Sequence, residues 1–119
     1  SFNGRGGGMA KFKCHKCGQT ESKGENNRLV CEMSRGNSID FKAGIAATLD
    51  QYYVYCRSCF TINIYQPGWI GNLKFHHHVG GKEFFDTFKN THPLLQLYNS
   101  INKAMIEDGL TPKGWTPSD

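Results

Sequence analysis

The chain has 119 residues, 38% of them hydrophobic, and a formal net charge of +4. That length suits one domain, and the charge falls short of the concentrated positive surface of a dedicated DNA binder while permitting an anionic partner. No apolar run approaches the ~20 residues a membrane helix needs; the cysteine count of five is odd and argues for a reducing, intracellular setting, cytoplasmic or nuclear, over a secreted disulfide scaffold.

Residues 1–8 carry Gly4, Gly6, Gly7 and Gly8 around Arg5 and cannot pack a core, so they read as an expression scar ahead of Met9. Residues 9–110 read as a single domain and 111–119 as a loose tail, with its Trp115 pinned to the body. Lys11, Phe12 and Lys13 predict a short strand leading to Cys14-His15-Lys16-Cys17-Gly18. A polar stretch with a turn over 23–27 follows, then a strand over 28–33 and a second turn around Gly36-Asn37. Asp40 is a good N-cap and predicts a short helix over 41–49. Residues 51–55, rich in Tyr and Val, predict a strand entering Cys56-Arg57-Ser58-Cys59.

Residues 60–66 predict the strand leaving that pair, with Phe60, Ile62 and Ile64 on one face by two-residue alternation. Pro67-Gly68 breaks it, and Trp69 sits in the loop that follows. Residues 73–79 alternate again: Leu73, Phe75, His77 and Val79 face one way, Lys74, His76 and His78 the other. Beyond Gly80-Gly81 the period changes. Residues 82–90 predict a helix turning Phe84, Phe85 and Phe88 inward. Pro93 opens a second, amphipathic helix carrying Leu94, Leu97, Tyr98, Ile101, Ala104 and Met105, stopped near Asp108 by Gly109.

The cysteines carry the chemistry. Two C-x-x-C hooks, Cys14/Cys17 and Cys56/Cys59, supply four thiolates, which close the tetrahedral sphere of one structural Zn²⁺. Each hook bends the backbone into a knuckle that aims both sulfurs at one point. Gly18 suits a knuckle exit with positive φ, and Phe60 holds the equivalent place after the second hook. The same four sulfurs also accept iron, which is the alternative metal. Lys11, Lys13, Lys16 and Arg57 lie near the hooks in sequence and offset the negative charge of a four-thiolate centre. A small domain holds itself together only marginally. Structural zinc contributes an apparent ~10–16 kcal/mol in finger peptides. Cys31, left over, reads as a buried small hydrophobe, and His15 as an exposed side chain at a knuckle tip.

The pattern of Cys14, Cys17, Gly18, Cys56 and Cys59 resembles the zinc-ribbon group over residues 12–66. The resemblance implies an antiparallel β core around zinc with the four hook cysteines as ligands. The 38 residues between Cys17 and Cys56 are long for a minimal ribbon and imply extra elements inside the insert. With the helical third added, the expected fold class is α+β: a zinc-ribbon-like antiparallel β core with two C-terminal helices, built as 12–66 and 67–110.

Three functions are open. A nucleic-acid module, or one serving a nucleic-acid-handling complex, would contact its ligand through Lys13, Lys16, Arg57, Trp69, Lys74, His76 and His78. Tyr52, Tyr53, Tyr55 and Tyr65 would be stacking candidates on its strands. A protein-interaction module would use zinc only to hold its shape. A small metalloenzyme would use His76 and His78, sharing a strand face, to hold a second metal with His92 or a carboxylate. No P-loop or dinucleotide fingerprint is present. The sequence leaves process, partner and oligomeric state unspecified.

Overall fold

A computed structural model of the chain describes residues 12–22, 24, 27–34, 38–40, 45–47, 51–67, 72–90, 94, 97 and 99–117. The predicted contact Trp69, the glycine-rich residues 1–8 and His92 lie outside them.

The central element is a four-stranded antiparallel sheet in the order β1-β4-β5-β6. Its strands are β1 (Leu29–Ser34), β4 (Gln51–Cys56), β5 (Thr61–Pro67) and β6 (Leu73–Gly80). The β-branched and aromatic runs of β4 and β5 place them in the middle, buried on both faces. Tyr53 and Tyr55 on β4 and Ile62 and Ile64 on β5 point to one face. Val54 and Cys56 on β4 and Tyr65 on β5 point to the other. Alternation thus feeds two separate cores from the same two strands.

The first core is covered by helices α1 (Gly81–Phe88) and α2 (Ile101–Glu107). Phe84, Phe85, Leu94, Leu97, Ile101 and Met105 are buried there. Each contributes roughly 1.5–3 kcal/mol of transfer free energy. Helix α2 ends as its sequence dictates. Gly109 has φ +82, its N–H bonds to Ile106 O at 3.1 Å, and the N–H of Leu110 reaches back to Met105 O at 2.8 Å. That is the Schellman stop, which requires the left-handed conformation glycine adopts without strain. Glu32 of β1 accepts the N–H of Ser100 at 2.8 Å, placing a carboxylate at the start of α2.

The second core is covered by the first cysteine hook. Phe12 is buried there and packs edge-on against Tyr65, ring centres 5.0 Å apart. The described residues therefore form three layers: helices, sheet and the first cysteine hook. This is an α+β fold with two helices following the sheet.

Several expectations need correction. Residues 38–40 and 45–47 are strands β2 (Ser38–Asp40) and β3 (Ile45–Ala47), paired antiparallel with Asp40 opposite Ile45. Of the predicted helix over 41–49 the described residues 45–47 are a strand, the rest lying outside the described residues; β-branched Ile39 and Ile45 favour pairing over the capping potential of Asp40. The first hook is preceded by a single bridge, Lys13 to Thr20, rather than a strand. The predicted helix from Pro93 does not run unbroken to Glu107: Leu97, Asn99 and Ser100 lie in turns and α2 starts at Ile101. Of its apolar positions, Leu94, Leu97, Ile101, Ala104 and Met105 are buried as expected, and Tyr98 lies outside the described residues. Cys31, on the edge strand β1, is exposed rather than buried. Thr111 is buried and Trp115 stands edge-on to Phe85 at 5.0 Å, so the tail is packed on the body as far as Trp115.

Strand β6 departs from simple alternation. Ile64 pairs with His77 but Tyr65 pairs with Phe75, so His76 is an inserted residue, a β-bulge. Val79 faces the helices, while Leu73 and Phe75 pack toward the hook. Leu73, Phe75, His77 and Val79 thus do not share one face. Among the described residues, no helix is long and apolar enough to cross a membrane.

Candidate metal centre

The two hooks are brought together by the hairpin β4–β5 on one side and by docking of residues 12–20 on the other. Cys56 ends β4, and Cys56 and Thr61 are the last paired residues of the hairpin, so the second knuckle is its turn. The N–H of Phe60 closes this turn on Cys56 O at 2.8 Å. The first knuckle repeats the geometry: the N–H of Gly18 bonds to Cys14 O, also at 2.8 Å. Both exits are left-handed, with φ +84 at Gly18 and +59 at Phe60. The absence of glycine therefore does not make the second hook irregular. Phe60 is forced into the conformation, and the residue is 45% exposed rather than packed beside Ile62 and Ile64.

All four Sγ atoms lie within 4.8 Å of one another. Cys14 and Cys59 approach to 3.5 Å and Cys17 and Cys56 to 3.6 Å, each pair crossing between hooks. A tetrahedral zinc with Zn–S of ~2.3 Å sets sulfurs roughly 3.8 Å apart, so the donor set fits such an ion. Residues 14, 17, 56 and 59 are thus a four-cysteine cluster able to hold a metal.

The environment divides the sulfurs. Burial opposes ionisation of Cys14, yet the Asn63 side chain and the N–H groups of Cys17 and Lys16 outweigh it and lower its pKa to about 7. Burial pushes the Cys56 thiol up to about 12, against the N–H groups of Cys59 and Ser58. Burial also raises Cys59. A bound divalent ion deprotonates its thiols outright, at every one of these positions.

Neighbouring side chains hold each knuckle. The Tyr65 hydroxyl donates to Lys13 O at 2.8 Å, accepts from Lys13 N–H at 3.1 Å and lies 3.0 Å from His15 Nε2. Asn63, fully buried, accepts the N–H of His15 at 2.8 Å and donates to Val54 O at 3.3 Å. The exposed His15 ring is stacked on Phe75, centres 3.8 Å apart and planes 17° off parallel. Burial, then the charges of Lys13 and His78, hold the His15 pKa below its ordinary value. Lys13, His15 and His78 therefore share one neighbourhood.

Arg57 is engaged elsewhere. It pairs with Asp108 at 2.8 Å and Glu107 at 3.1 Å, tying the second knuckle to the end of α2. Tyr55 donates to the same Asp108 at 2.8 Å. Burial works against the Asp108 carboxylate, but Arg57 and Tyr55 prevail and lower its pKa. Burial, then the Asp108 carboxylate, raises the phenol of Tyr55. Gly81 completes this anchor: its N–H bonds to Phe60 O at 2.7 Å, and a Cβ there would stand 2.9 Å from Leu110 Cδ1.

Of the predicted contact residues, Lys13, Lys16, Lys74 and His78 are exposed. Arg57 is committed to its ion pairs. His76 is half-buried and hydrogen-bonded through Nδ1 to His77, so the bulge separates it from His78 and removes the expected face shared by the two. Among the described residues, no histidine stands in a group of three or more metal-ligating side chains. The stacking candidates Tyr53, Tyr55 and Tyr65 are core residues, and Tyr52 is half-buried. Sequence reasoning missed Asn63, Asp108 and the clamping role of Tyr65. A signal existed for Asn63, a polar residue between Ile62 and Ile64 in a run otherwise built for burial. The chain matches no known family model, no curated protein and no solved structure.

Proposed function

We propose that this chain is a structural-zinc module that binds nucleic acid. Zinc is preferred to iron because four closed thiolates in a small domain serve folding without needing redox chemistry. The observation that carries the reading is the cationic surface at the first knuckle. Lys13, Lys16 and His78 are exposed there, around the stacked His15 and Phe75. Lys74, also exposed, lies between Leu73 and Phe75 and so points to the other face of the sheet. Glu107 and Asp108 lie on the helical side, neutralising Arg57. A surface with lysines for phosphate contact suits an anionic polymer.

Phe60 is the one exposed large hydrophobic among the described residues. A protein-docking face needs a broader apolar patch, which makes protein interaction the weaker reading. The test is fluorescence anisotropy of a labelled mixed-sequence single-stranded oligonucleotide with zinc-loaded protein. Expected are micromolar binding, one zinc per chain by metal analysis, and affinity that falls steeply between 50 and 200 mM salt, as counterion release demands of about 6–10 phosphate contacts and less steeply of fewer. Lys13→Ala with Lys16→Ala should flatten that slope by about one to two ions. Absence of salt-sensitive binding overturns the reading.

A further inference from the structure

We infer that Phe60 is a base-stacking residue, and that the nucleic acid it takes is single-stranded; this rests on the nucleic-acid reading above. The argument begins from a doubly unfavourable placement. Phe60 has φ +59, a left-handed conformation disfavoured for residues with a Cβ, and the residue is 45% exposed to water. Glycine would relieve both conditions. The first knuckle demonstrates this in the same molecule, since Gly18 fills the corresponding position with φ +84 and the same 2.8 Å closing hydrogen bond. The fold therefore does not require the ring. Its backbone is what the fold uses, through the carbonyl that accepts Gly81 N–H. Strain and exposure kept together at one residue point to use of the side chain.

The surroundings select the occupant. Cys14 and Cys59 sulfurs lie 3.5 Å apart, and Ser58 donates to Gln19 at 3.3 Å, so the two knuckle tips form one continuous surface. Ser58 is exposed two residues before Phe60 on that surface, and Lys16 and Gly18 are exposed on the first knuckle that meets it. A single aromatic among small, polar and cationic neighbours suits one unstacked base with its phosphate on a lysine. A protein interface would surround its aromatic anchor with further apolar residues. A base inside a duplex presents no face for the ring, which is why the ligand is single-stranded.

The test uses the full zinc-loaded chain and three variants, Phe60→Gly, Phe60→Leu and Phe60→Trp, against a labelled single-stranded oligonucleotide, the same sequence as a duplex, and an abasic strand of equal length. Expected are a loss of about fivefold or more in affinity for the single strand with Phe60→Gly and with Phe60→Leu, and retention with Phe60→Trp. On the abasic strand all four proteins should bind alike, and the parent should bind the duplex more weakly than the single strand. Phe60→Leu keeps the side-chain bulk, so it answers the question if the glycine variant folds poorly. Unchanged single-strand affinity in both Phe60→Gly and Phe60→Leu overturns the inference and leaves the nucleic-acid reading standing. No salt-sensitive binding by the parent itself overturns that reading, and this inference with it.

Discussion

The two cysteine knuckles have the same backbone and opposite supports. Each closes on its first cysteine's carbonyl at 2.8 Å and exits left-handed. The second is covalently part of the central hairpin and is held from the helical side by Asp108, Glu107 and Gly81. The first is an arm laid on the opposite face of the sheet, held by Tyr65, Asn63 and Phe75. A local motif thus specifies its own shape, while its position depends on distant side chains of the sheet. A metal held by the four cysteines would join that arm to the turn of the central hairpin.

Loss of the metal should erase the comparison altogether. Chelation, or Cys17→Ser and Cys56→Ser alike, should collapse the dispersed amide spectrum, since structural zinc is worth an apparent ~10–16 kcal/mol in small domains against a total stability of ~5–15 kcal/mol. Native dispersion in either variant would refute the shared four-thiolate centre. Tyr65→Phe should loosen the first knuckle alone. It leaves two Lys13 backbone groups short of a partner and costs about 1–3 kcal/mol, with amide exchange accelerated over residues 12–20 and unchanged in α2.

Asp108→Asn should loosen the second knuckle by about 1–2 kcal/mol in denaturant unfolding. Its pH dependence has a definite sign. Asp108 has a lowered folded pKa, so its contribution is fully present above the unfolded value of about 3.9 and disappears as pH falls through the folded one. The gap between parent and variant should therefore close in acid; a gap that widens would refute the assignment. At the exits the effects are smaller and opposite: Gly18→Ala should destabilise by about 1 kcal/mol and Phe60→Gly should stabilise by up to about 1 kcal/mol. Equal signs would refute the strain argument. His78→Ala, on an exposed position, should stay within about 0.5 kcal/mol.

The sheet was legible in sequence because alternation and β-branched content agree in β1, β4 and β5. The ligand set was legible because C-x-x-C encodes its own geometry. What was not legible depends on neighbours. Asp40 carries a helix-capping side chain, but pairing of residues 38–40 with 45–47 decides its conformation. The bulge at His76 is invisible to a two-residue period, and it reassigns every residue of β6 on its far side. Arg57 resembled a ligand contact near the metal because nothing local indicates that Asp108, 51 positions away, meets it. Phe60 was placed in a strand face, since a positive φ at a phenylalanine has no sequence signature.

The separation of the hooks along the chain also sets a timetable for biosynthesis. Cys17 and Cys59 are 42 positions apart, and a ribosome adding ~5–20 residues per second needs about 2–8 s to traverse that interval. During it the leading pair of thiols has emerged with half a coordination sphere and no sheet to rest on. Until the trailing pair arrives, those thiols stand open to oxidation.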